Sequence, residues 1–213
     1  MNTSVFAANL VQNILAIILF FVCLFIAIRA FYVYSNTSNP RIFILGTSMG
    51  MIALTAAADF FSSNVTSITL NTDWFLFIGQ SVSFLFILLS FVYRQEEHLN
   101  RLMRLQVVVS ALLLALLFLA PSLPPLPGSS LEAVLSGSRV VMCFIIFIFY
   151  MSAFMAKRTS FSLLMSMAFL LLAIGYLLIV QKYFVVDQMA FDQLGDIVRM
   201  GGLILLLAAT FGK

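Results

Sequence analysis

Charge is scarce in this chain. Only 9% of its 213 residues are Asp, Glu, Lys or Arg and 63% are hydrophobic, whereas a soluble domain averages about 25% charged and 45 to 50% apolar. Histidine is almost missing: the single one, His98, cannot supply paired haem ligands or a histidine-bound zinc. The three lysines, Lys157, Lys182 and Lys213, fall at the ends of apolar runs, so no retinal Schiff base can form within a helix. The two cysteines, Cys23 and Cys143, lie inside apolar runs without metal-site spacing and behave as small hydrophobes. No GxSxG elbow, Walker A loop or HExxH occurs. An enzyme would have to rest on carboxylates alone, so no catalytic residue, metal or cofactor is expected. Lys+Arg 11 against Asp+Glu 8 is too sparse for a nucleic-acid footprint.

What is present is a series of long apolar runs. A helix crossing the hydrocarbon core needs about 20 such residues, and the runs place spans at about 9–34, 42–61, 74–93, 105–120, 131–156, 161–180 and 191–211. Four of the five prolines are gathered in 121–130 and none interrupts a span. The fourth span is short unless Arg101 to Arg104 snorkel at its start. The pattern predicts an all-α, polytopic seven-transmembrane-helix bundle forming a single domain, with the lipid bilayer as its first partner. With the amino terminus outside, Arg29, Arg41, Arg94, Arg101, Arg104, Lys157, Arg158 and Lys213 fall on the cytoplasmic side and only Lys182 outside. The positive-inside rule therefore predicts an outer amino terminus and a cytoplasmic carboxyl terminus. The first charge is Arg29, so the first helix reads as a retained span rather than a cleaved leader.

Polar residues within spans are costly and therefore informative. Asp59, Arg139 and Tyr176 each lie 18 residues from a basic inner end, about 27 Å up a helix rising 1.5 Å per residue. Asn13, Gln80, Asp196 and Arg199 come at similar depth, so six helices supply one layer in the outer half of the bundle. The fourth helix, ALLLALLFLA, supplies nothing and is expected at the lipid-facing periphery. On the seventh helix Asp192, Asp196 and Arg199 share a face, and on the fifth Glu132 and Arg139 repeat the interval of seven. Two readings stay open: ion pairs that lock the bundle, with Asp196 and Asp59 the nearest acids to Arg199 and Arg139, or a pocket in which a guanidinium meets an anionic or polar ligand head.

Three further features carry less. Gly46, Gly50, Ala53 and Ala57 form a small-residue stripe on the second helix, suited to close packing within the chain or to dimerisation. The segment YRQEEHLNRLMR is basic and amphipathic, fit to lie on anionic headgroups, to dock a cytoplasmic partner or simply to snorkel. The hairpin around residues 26–50 has a counterpart around 149–169, which is either a repeat in which helices five to seven echo one to three with the fourth between, or the likeness that any two inward hairpins share under the positive-inside rule.

The stretch AIRAFYVYSNTSNPRIFILG puts an Arg and aromatics at the inner end of a helix, before a short turn and a small-residue helix. In this it resembles the seven-transmembrane input domains of prokaryotic sensor kinases. That resemblance implies sensing without catalysis, a signal passed through the seventh helix to a cytoplasmic or membrane signalling partner, and residence in the plasma (inner) membrane of a prokaryote. The expected function is a receptor-like or sensor-like module binding a small amphiphilic or polar ligand at Asn13, Asp59, Gln80, Arg139, Tyr176, Asp196 and Arg199. A transporter or channel using the same layer, and an accessory subunit in which the charges only pack, are the alternatives.

Overall fold

The computed structural model describes residues 3–64, 72–93, 95–119, 123–124, 128–184 and 188–211, with side chains from residue 13 onward except at 63, 64, 129, 188, 189 and 211. Seven α-helices occur among these residues: α1 (Thr3–Thr37), α2 (Pro40–Asn64), α3 (Asp73–Val92), α4 (Glu96–Leu119), α5 (Ser129–Lys157), α6 (Ser160–Gln181) and α7 (Gln188–Phe211). Each holds a stretch of 20 to 28 residues long and apolar enough to cross a membrane, which fits a membrane-embedded protein. No strand occurs among the described residues.

Two helices are longer than their apolar runs. In α1 the polar run after Tyr34 stays helical because Ser35, Asn36 and Thr37 turn their side chains back onto the carbonyls of Tyr32 and Val33. In α4 the helix begins at Glu96, nine residues before the expected start. Glu96 and Glu97 sit in its first turn, where the helix dipole favours acids, and Leu99 and Leu102 bury against Ile44 and Phe86.

The chain divides into two compact units. One spans Phe20–Leu126 and holds the second part of α1 with α2, α3 and α4. Here the glycine stripe of α2 serves packing within the chain: a Cβ at Gly46 would lie 3.1 Å from the Ala30 Cβ, and one at Gly50 3.8 Å from that of Ala27. α4 adds nothing to the expected outer layer among the described residues, but nearer its start it carries a polar contact of its own. Gln106 of α4 is 1% exposed and donates through Nε2 to the Ile44 carbonyl (3.1 Å) and to Ser48 Oγ (2.8 Å) on α2, so α4 carries a buried interhelical hydrogen bond.

The other unit comprises Met1–Leu19 with Pro127–Lys213, and in it α6 packs against both α5 and α7. Between α6 and α7 the backbones nearly touch: a Cβ at Gly175 would meet Arg199 Cγ at 2.5 Å and the Gly195 carbonyl at 2.8 Å, and one at Gly202 the Ala168 carbonyl at 3.0 Å.

The two repeated hairpins turn alike. Ser38 and Arg158, each following its helix, adopt positive φ (51° and 49°), and each amide bonds to the carbonyl four residues back, Tyr34 and Phe154, at 2.7 Å. Asn39 then accepts from the Arg41 amide, and Thr159 from that of Ser162, so both following helices start on a side-chain cap.

Candidate functional site

Four of the seven residues expected in the polar layer lie on α5, α6 and α7. Arg139 of α5 and Arg199 of α7 both reach the ring of Tyr176 on α6, their guanidinium carbons 5.1 and 5.0 Å from its centroid. These are cation–π distances, and buried contacts of this kind contribute about 2 kcal/mol. Tyr176 and Arg139 are each 3% exposed. Arg139 further donates through Nε to the Leu135 carbonyl at 3.4 Å and through Nη2 to Ser136 Oγ at 3.4 Å, both on its own helix.

Arg199 also pairs with Asp196, Nη2 to Oδ1 at 2.9 Å. The two are three residues apart on α7, so the expectation that an acid lies within reach of Arg199 holds, but this ion pair stays on one helix and joins nothing across the bundle. The link from α7 to α6 is made instead by the Tyr176 ring and by the glycine contact, since the missing Cβ of Gly175 is what lets the Arg199 stem lie against α6.

A second tier lies toward the amino-terminal ends of α5 and α7. Tyr183, in the turn after α6, donates its hydroxyl to Glu132 Oε2 at 2.9 Å. Its neighbour Lys182 pairs with Asp192 Oδ1 at 3.0 Å and sits 5.4 Å from the Tyr183 ring centroid. Burial, reinforced by the hydrogen bond and proximity to the Glu132 carboxylate, pushes the Tyr183 phenol well above its ordinary value, so it remains a neutral donor. On all three elements the two tiers are seven residues apart: Glu132 and Arg139, Asp192 and Arg199, Tyr183 and Tyr176.

The remaining expected residues fall elsewhere. Gln80 of α3 lies in the unit of α2 to α4, where it donates to Thr55 Oγ1 at 3.4 Å. Asp59 belongs to the same unit, its carbonyl accepting from Ser62 Oγ at 2.9 Å, and Asn13 is a half-buried residue of α1. Sequence reasoning missed Lys182 and Tyr183 because both lie past the end of a span. It also missed Gly175 and Gly195, although Ala168 and Gly175 on α6, and Gly195 and Gly202 on α7, stand seven apart and mark a small-residue face. Among the described residues no cluster of His, Cys, Asp and Glu is arranged to hold a metal ion.

No protein-family model matches the chain, and neither a curated protein nor a solved structure is significantly similar to it.

Proposed function

We propose that this protein is a receptor-like or sensor-like membrane module whose α5–α7 unit binds a small amphiphilic ligand by an anionic or polar head at Arg139, Tyr176 and Arg199. The carrying observation is the convergence of two guanidiniums from different helices on one buried ring. Like charges in a low-dielectric core repel, so bringing them together is a cost that packing alone does not require and an anionic head repays. Each guanidinium offers planar donors suited to carboxylate or phosphate, and Tyr176 holds both in place before the ligand arrives. Asp196 keeps Arg199 oriented along α7.

Dodecanoate and dodecyl phosphate, added to the purified protein in neutral detergent, are expected to raise its melting temperature, whereas dodecanol is not. Arg139→Gln and Arg199→Gln should each weaken binding about tenfold or more, the range of a lost charge-assisted hydrogen bond. If neither anion stabilises the wild-type protein, the accessory-subunit reading takes its place.

The module is oriented with its amino terminus outside, in the plasma (inner) membrane of a prokaryote, and passes its signal through α7 to a cytoplasmic or membrane partner. The orientation rests on eight basic residues against one, the membrane and the signalling route on the resemblance to sensor-kinase input domains. A cysteine placed at His98 should resist an impermeant maleimide applied to intact cells and react once the membrane is opened. Labelling from outside would reverse the topology. A transporter is the second reading, favoured by the matching turns at Ser38 and Arg158, since repeated halves are common in transporters.

A further inference from the structure

We propose that the ligand is a zwitterion, an aminoalkyl carboxylate or aminoalkyl phosphate, with its anionic group on the arginine tier and its ammonium on the acid tier above. This rests on the ligand-binding reading and narrows it. Seven residues on a helix return a side chain to nearly the same face, about 10 Å along the axis. On α5 that interval runs from Glu132 to Arg139, and on α7 from Asp192 to Arg199. The contacts establish that these are two levels and not only a spacing. Arg139 and Arg199 meet at Tyr176, while Glu132 and Asp192 are tied to the consecutive residues Tyr183 and Lys182.

A pure anion approaching from the amino-terminal ends of α5 and α7 meets Glu132, Asp192 and then Asp196 before it reaches both guanidiniums, with Lys182 the cation set among them. Asp192 and Asp196 are offset by Lys182 and Arg199, but Glu132 has no cation paired with it among the described residues, and its charge disfavours the anion. A molecule with an amine about 10 Å from a carboxylate matches both tiers at once. Glu132 has the capacity for it: Tyr183 occupies Oε2, and among the described residues no donor is bonded to Oε1.

The probes are octanoate, octylamine and the ω-amino acids of four, six and eight carbons, titrated calorimetrically into the full-length protein in neutral detergent. The expected result is that 8-aminooctanoate binds about fivefold or more tighter than octanoate, the return of one added ion pair. Affinity should rise along the ω-amino acid series as the chain comes to span the tiers. Glu132→Gln and Asp192→Asn should remove that preference, since each loses the partner of the ammonium while octanoate, with a carboxylate gone from its path, binds at least as tightly as to the wild type. If octanoate binds as tightly as 8-aminooctanoate, the zwitterion inference fails and the anion site stands. If no probe binds, the ligand-binding reading fails and this inference with it. Should either variant fail to fold, the wild-type series decides alone, because affinities independent of chain length would overturn the two-tier match.

Discussion

A chain carrying Gly175→Ala is expected to lose about 3 kcal/mol of stability or to fail to accumulate in the membrane, the upper end of what overpacking costs. The added methyl would lie 2.5 Å from Arg199 Cγ, 2.8 Å from the Gly195 carbonyl and 3.0 Å from the Arg199 amide. Two of those three atoms are backbone, held by the hydrogen bonds of α7 itself, so they cannot swing aside as a side chain does. The approach is mutual, because a Cβ at Gly195 would lie 2.9 Å from the Gly175 carbonyl. Pushing α7 away would also draw Arg199 off the Tyr176 ring, so surviving protein should bind anions more weakly. Gly137→Ala is the matched control: nothing lies within 4 Å of a Cβ there, and a helical glycine replaced by alanine gains up to about 1 kcal/mol. Thermal melting in detergent reads both, and a Gly175→Ala protein melting with the wild type would mean that α6 and α7 do not pack backbone to backbone.

Removing Arg199 is expected to be as severe. Arg199→Leu leaves Asp196, 5% exposed, without its partner at 2.9 Å, and orphaning one member of a buried pair costs about 3 to 5 kcal/mol. Asp196→Asn should cost less, since Arg199 keeps the face of Tyr176. The double variant should recover much of the loss, because an ion pair confined to one helix is replaceable by uncharged groups once both charges are gone. A coupling of about 2 kcal/mol or more between the two sites is the expected outcome. Strict additivity would show that the pair contributes nothing beyond its separate members.

Seven helices are legible in this sequence because membrane spans announce themselves by sheer apolar length, and prolines and polar turns mark most of the breaks. The ends are less legible, since they depend on side chains rather than hydropathy. Ser35, Asn36 and Thr37 read as a turn until their back-bonding to α1 is seen, and Glu96 reads as a loop residue until Leu99 and Leu102 are seen to bury beneath it. Within the candidate site, depth counting finds Arg139, Tyr176, Asp196 and Arg199 because helical rise is constant. It cannot say which residues at one level face each other, so it did not place Gln80 against Thr55. Gln106 escaped because it lies among the basic residues that opened the fourth helix, where a polar side chain looks unremarkable.

The short links after α1 and α5 bear on how the chain is made. Only residues 38 and 39 separate α1 from α2, and only 158 and 159 separate α5 from α6. In a bilayer neither helix of such a pair could enter far from the other, so the hairpin, and not the single span, would be the natural step of insertion. In the first pair the second span is much less apolar than the first, so α2 would be carried across with its neighbour. That relieves α2 of the need to be the strongly hydrophobic segment an independent span must be, and leaves room in it for Ser48 and Thr55, both fully buried.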